Sequence, residues 1–129
     1  LCFSGKYTEK EIYKKLVGNG GFNAYLGTND MRNVEKMVDE GNQDAIALRE
    51  AFLLQISKDI GSMACVLEGK VDQIIVTGGI AYDKYVVSEL QKRAGFIAPF
   101  TVYPGEDELL ALAQGGLRVI KGEEKAMEY

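Results

Sequence analysis

Three short segments of this 129-residue chain carry residue types that could do chemistry. In Thr77-Gly78-Gly79-Ile80 an apolar run stops in two glycines, so backbone N–H groups there can approach phosphate or ribose oxygens without interference from a Cβ. The same pair would equally serve a plain tight turn between strand and helix. In Gly27-Thr28-Asn29-Asp30-Met31-Arg32, Asp30 suits a helix N-cap, and Arg32 is either a surface cation or a charge set beside a ligand. Pro104-Gly105-Glu106-Asp107-Glu108 places acidic residues at the start of a helix. There they either complement the helix dipole or supply a carboxylate that helps hold Mg²⁺ through water, as phosphoryl transfer requires. No Gly-x4-Gly-Lys-Ser/Thr phosphate loop is present, and no Gly-x-Gly-x-x-Gly dinucleotide fingerprint follows a strand. With no histidine in the sequence, every mechanism with a histidine base, nucleophile or metal ligand is excluded.

These segments need a scaffold, and the apolar spacing describes one. Thr8 with Glu11 is a capping box opening a short helix through Ile12 and Leu16. Phe22–Leu26 reads as a strand, followed by a turn and a short helix with Val34, Met37 and Val38 on its apolar face, ended by Gly41. Ala45, Leu48, Phe52, Ile56, Ile60, Met63 and Leu67 recur at steps of three and four, which predicts one helix from about Asp44 to about Leu67. Its length would be roughly 35 Å. Val71–Thr77 reads as a strand whose continuously apolar Ile74-Ile75-Val76 is expected to be covered on both faces. Asp83 caps the next helix, which runs through Val86, Val87 and Leu90 to Gly95. A third strand spans Phe100–Tyr103, and a last helix carries Leu109, Leu112, Ala113, Leu117 and Ile120. Inside it Gly115-Gly116 calls for compensation by close packing. The tail Glu123–Tyr129 is expected to be a solvated helical extension or a frayed end. Strands alternating with helices imply an α/β fold with a small, mainly parallel sheet covered by helices. In such sheets ligands bind beyond the carboxyl ends of strands, and all three segments above occupy such places.

Composition narrows the classes further. Hydrophobic residues make up 47% and charged residues 26%, so a folded globular domain is expected rather than disorder or a coiled coil. The net charge of -4 argues against nucleic acid or an anionic membrane as partner, and the longest apolar runs fall short of the ~20 residues a membrane span needs. Glycine is in surplus, at 15 residues with only 2 prolines, which places the glycines where the backbone needs room rather than in a linker. Cys2 and Cys65 are too far apart in sequence for a zinc site and suggest no disulfide framework. Cys65 is expected buried or half-buried in the long helix, and a reducing cytoplasm fits. The start Leu1-Cys2-Phe3 has no Met and no signal-peptide pattern, and reads as a piece of a longer chain.

Taken together, Leu26-Gly27-Thr28-Asn29-Asp30, Thr77-Gly78-Gly79-Ile80-Ala81-Tyr82 and Pro104-Gly105-Glu106-Asp107-Glu108, with Ala24-Tyr25, resemble the C-terminal part of the butyrate kinase family. That family is similar to the acetate kinases, within the superfamily of sugar kinases, Hsp70 and actin. The resemblance covers essentially the whole chain. It implies a ribonuclease H-like, actin-like ATPase second domain, spanning residues 1–129, of a two-domain acyl kinase. It also implies reversible phosphoryl transfer between ATP and butyrate or a similar short-chain carboxylate, with ATP/ADP and Mg²⁺ as cofactors. The missing N-terminal domain and further copies of the chain in a homo-oligomer are the implied partners. Where acetate kinases have Ser-Asp-Phe-Arg beside adenine and phosphates, this chain has Asn29-Asp30-Met31-Arg32, so Asp30 and Arg32 carry over. In place of the Ala-Gly-Ile-Gly-Glu-Asn adenosine loop stands Gly78-Gly79-Ile80-Ala81-Tyr82-Asp83, which transfers Gly78, Gly79 and Ile80 and puts Asp83 where an Asn would be. The Thr-Asn-Glu-Glu-Leu segment near the family's metal resembles Gly105-Glu106-Asp107-Glu108-Leu109, which makes Glu108 the matched acid and Glu106 its substitute. The family's catalytic arginines and aspartate fall in segments upstream of Leu1, so the chain alone is expected to lack kinase activity.

Overall fold

The computed structural model describes residues 1–127. In chain order it contains α1 (Glu9–Leu16), α2 (Gly21–Leu26), α3 (Met31–Asp39), α4 (Gln43–Val66) and β1 (Ile74–Gly78). A single 3-10 helical turn (Gly79–Tyr82), α5 (Lys84–Ala94), β2 (Phe100–Pro104) and α6 (Glu108–Ile120) complete it. β1 and β2 pair in parallel, in a register running from Ile74 opposite Phe100 to Gly78 opposite Pro104. The 3-10 turn and α5 form the crossover between them, so the sheet expected to be mainly parallel and flanked by helices is present.

Local chemistry accounts for the helix ends. Thr8 and Glu11 form the reciprocal capping box, and Asp30, Asn42 and Asp83 each accept a backbone N–H at the start of α3, α4 and α5. The core gathers where these helices meet. Leu53 of α4 and Val86 and Leu90 of α5 are buried together, with Met31, Ile56, Ile80 and Phe100 packed around them. Val34 of α3 and Ala45 of α4 are fully enclosed, and the rings of Phe22 and Phe52 meet at 5.3 Å, which fastens α2 to α4.

Several expectations are overturned. Phe22–Leu26 is the helix α2, not a strand, so the sheet has two strands among the described residues instead of three. So short a segment, Phe22-Asn23-Ala24-Tyr25-Leu26, fits either period; Gly27, at φ 70°, closes a helical turn by donating its N–H to the Asn23 carbonyl. The strand expected over Val71–Thr77 is shorter at its start, and its two faces are not both covered: Ile75 is 62% exposed. Cys65 is exposed, because the C-terminal part of α4 runs past the core and leaves Met63, Val66 and Leu67 in solvent as well. The stripe on α6 is likewise exposed, and a Cβ on Gly115 or Gly116 would meet no packed neighbour, only the tip of Arg118 at 3.8 Å. Close packing therefore does not compensate the paired glycines. Residues 123–127 form bends and irregular backbone, while Glu128 and Tyr129 lie outside the described residues.

Candidate functional site: a cleft between two helix N-termini

Parallel strands direct the start of the following helix to their carboxyl edge. Here β1 delivers the 3-10 turn and α5 to one side of a cleft of about 800 Å³, and α3 supplies the other side. Asn29, Asp30, Met31, Arg32 and Glu35 line the α3 wall; Gly79, Ile80, Tyr82 and Asp83 line the facing wall. Five of the residues singled out from the sequence, Asp30, Arg32, Gly79, Ile80 and Asp83, thus converge from segments about fifty residues apart. Gly78 stands immediately behind this wall. Its φ of 82° and ψ of -175° are open to glycine and costly for other residues.

The caps of α3 and α5 both line the cleft, so two helix N-termini, each with a partial positive charge, open onto one space. Asp30 accepts the Arg32 N–H at 3.0 Å, and its carboxylate is also held by the Arg32 guanidinium, with Nη2 to Oδ2 at 2.6 Å. The Arg32 fork lowers the Asp30 pKa below the ordinary carboxylate value, and the same pairing raises that of Arg32. The loop before it is pinned by Thr28, whose Oγ1 accepts from the Asp30 N–H and from Asn33 Nδ2. Asp83 uses Oδ1 to accept from the N–H groups of Tyr85 and Val86, so this oxygen serves the α5 cap. On the same wall, Gly79 has open space where a Cβ would stand, and Ile80 turns its side chain to the core. The cleft therefore combines bare backbone, an apolar floor from Met31 and Ile80, and charge at the rim. That combination suits a flat heterocycle carrying anionic groups.

Glu106 and Glu108 lie outside the cleft lining. Glu106 comes near Gly78, with Oε1 3.6 Å from the position of a Cβ there. Gly78 and Gly105 exchange backbone hydrogen bonds at 3.2 and 3.0 Å, which fastens the acidic segment to the end of β1. Asp107 occupies the N-cap of α6 yet makes no capping hydrogen bond. Among the described residues no group of three or more acidic or cysteine side chains could hold a metal ion by itself. Mg²⁺ commonly keeps several waters and takes one or two carboxylates plus substrate phosphates, so an exposed Glu106 beside the end of β1 fits that demand without a closed cage.

Glu35 and the residues behind it were not singled out from the sequence. Glu35 Oε2 takes a hydrogen bond from Arg49 Nη1 at 2.7 Å. Arg49 is 9% exposed, and its guanidinium lies over the Tyr85 ring at 3.8 Å from the centroid. The Tyr85 hydroxyl donates to Glu50 Oε1, and Arg93 donates to Glu50 Oε2 at 2.6 Å. The Glu50 contact, reinforced by burial, raises the Tyr85 pKa. This chain of contacts ties α3, α4 and α5 together directly behind the cleft. Glu35 Oε1 and Arg49 Nε are enclosed without a partner, a penalty of about 1–3 kcal/mol for an unmet buried polar group. The only local signal is position: Arg49 lies four residues after Ala45 and four before Leu53, on the buried line of the long helix.

The fold and the cleft define an α/β unit with an open cleft of about 800 Å³ at the end of a parallel strand. The chain belongs to the acetokinase family, whose match covers residues 4–124, and so shares that family's actin-like ATPase fold. It is 57% identical over all 129 residues to a probable butyrate kinase of Clostridium botulinum. It is also 57% identical to butyrate kinase 2 and 53% identical to butyrate kinase 1 of Clostridium acetobutylicum, again over its whole length. The chain spans 36% of the length of these relatives. No helix among the described residues is long and apolar enough to cross a membrane.

Proposed function

We propose that residues 1–129 are the nucleotide-binding C-terminal domain of a two-domain carboxylate kinase that transfers a phosphoryl group reversibly between ATP and butyrate, giving butyryl phosphate and ADP. One observation carries this reading: Asp30, Arg32 and the Gly79–Asp83 turn meet in one cleft in a chain of the acetokinase family. The 57% identity to proteins named butyrate kinase supports butyrate over other short carboxylates.

Phosphoryl transfer asks the protein mainly to position two groups and to neutralise charge. In this reading the adenosine lies against Gly79 and Ile80, and its phosphates run past the bare backbone of Gly78 and Gly79 toward Arg32. Arg32 leaves the Asp30 carboxylate to meet them, while Asp83 keeps α5 capped. Glu106 or Glu108 would hold Mg²⁺, which would supply charge neutralisation at the phosphates when bound. The carboxylate and the groups that activate it come from the N-terminal domain, so the reaction needs the full-length chain, which in this reading is a cytoplasmic homo-oligomer.

The test is an acyl phosphate assay on two preparations. The full-length protein forms butyryl phosphate from ATP, Mg²⁺ and butyrate, and residues 1–129 alone form none. Butyryl phosphate from the clean short chain, or none from the full-length protein with butyrate or its close homologues, would overturn the reading.

A further inference from the structure

Arg49 of α4 is 9% exposed and reaches helices on both sides of the cleft at once. Its Nη1 donates to Glu35 Oε2 at 2.7 Å on α3, and its guanidinium carbon lies 3.8 Å from the centre of the Tyr85 ring on α5. Glu35 belongs to the cleft wall, three residues along α3 from Arg32, a rise of about 4.5 Å. Tyr85 donates its backbone N–H to Asp83, which lines the facing wall and caps α5. The Tyr85 hydroxyl donates to Glu50, which also accepts from Arg93, so the ring is held from its outer end as well. Neither Arg49 nor Tyr85 lines the cleft.

Cohesion alone does not account for this link. Arg49 Nε and Glu35 Oε1 are enclosed without a partner, and an apolar pair of similar volume in such a place is often as stable or more so. Val34 beside Glu35, and Ala45 and Leu53 one turn either side of Arg49, are buried with apolar side chains alone. A charged link adds direction: a hydrogen bond and a cation–π contact each favour one geometry, whereas apolar burial favours none.

We propose that Arg49 is a positioning residue for nucleotide binding. By joining Glu35 to Tyr85 it sets the separation of the α3 and α5 walls, and with it the fit of the nucleotide, while touching no ligand itself. This inference rests on the reading of the cleft as a nucleotide site.

The experiment combines melting curves of the full-length protein with calorimetry of ATP and with KM values for ATP and for butyrate. Glu35→Leu/Arg49→Met replaces the link by apolar side chains and is expected to melt at or above the wild-type temperature. Its ATP affinity is expected to fall roughly 10- to 100-fold, the scale of a misplacement of about 1 Å, with KM for butyrate unchanged. Tyr85→Leu removes the other end of the link, on a residue outside the cleft lining, and is expected to weaken ATP about 10-fold. Arg49→Lys keeps a cation for Glu35 without the planar guanidinium, and is expected to recover part of the affinity lost in the double variant. Should the double variant not fold, Tyr85→Leu and Arg49→Lys carry the test, each expected to bind ATP more weakly than the wild type. Wild-type ATP affinity in the folded variants, with only the melting temperature changed, overturns the inference. So does an equal rise in KM for ATP and for butyrate, the mark of general loosening. Failure of the wild-type protein to bind ATP at millimolar concentration overturns the nucleotide reading instead.

Discussion

Two parts of this chain carry equally clear apolar patterns and end up in opposite circumstances. Around Leu53, the helices α3, α4 and α5 enclose Val34, Ala45, Val86 and Leu90 almost completely. Along α6, Leu109, Leu112 and Ile120 repeat at helical spacing and are 85%, 73% and 84% exposed. The first region also holds the cleft, its two capped helix starts and the Arg49 network. Its geometry is therefore fixed by contacts within the described residues. The difference teaches that a periodic stripe announces a face made for burial, while the cover for that face is a separate fact about the whole assembly.

The sharpest way to break this contrast is to cut into both regions. Leu53→Ala in the 129-residue chain is expected to cost about 2–5 kcal/mol, because a fully enclosed side chain leaves a cavity. Leu112→Ser in the same chain is expected to stay within about 0.5 kcal/mol, since that residue is already in water. Denaturant melts of the two variants check this, and equal losses would contradict the contrast. At the seam between cleft and sheet, Gly105→Ala is expected to cost about 1–3 kcal/mol. Its φ is 97°, and the new Cβ would stand 2.8 Å from the Tyr82 hydroxyl. An unchanged melt would mean that the Gly78–Gly105 pairing does not hold the strand end.

The smallest effect concerns charge at the cleft rim. The Arg32 guanidinium keeps the Asp30 pKa below the usual value of about 3.9. Because the folded pKa is depressed, this contribution is present above the unfolded value and is lost as pH falls through the lower, folded value. A carboxyl NMR titration of Asp30 should therefore lie below that of an ordinary aspartate, and Arg32→Gln should move it back up. Coincident curves would show that the fork does not persist in solution.

How far the sequence could be read follows the same division. Asp30 and Asp83 lie beside the backbone groups they cap, so local chemistry betrays them, and the Gly78-Gly79 stop at a strand end is equally local; Asn42 caps α4 two residues before the start expected at Asp44. Phe22–Leu26 is too short for its spacing to separate strand from helix, and the left-handed Gly27 is what makes it a helix. The buried line on α4 passes through Ala45, Arg49 and Leu53, with Leu48 and Phe52 only half-buried beside it. The exposed faces of β1 and α6 were invisible because apolar spacing does not say where the cover is. Glu35 went unnoticed since its partner Arg49 sits fourteen residues away on another helix, and separation in sequence carries no sign of such a pairing.

The central claim is that a nucleotide lies against Gly79 in the cleft between the starts of α3 and α5. Calorimetry of ATP with Mg²⁺ on the full-length protein, wild type against Gly79→Val, tests it most directly. A Cβ at Gly79 meets nothing within 4 Å, so the variant should fold and melt as the wild type does. Its branched side chain is expected to fill the adenosine space and weaken ATP by roughly 100-fold or more, the scale of about 2.8 kcal/mol. Wild-type affinity in a normally folded Gly79→Val protein would contradict it and leave the glycines as servants of the turn alone.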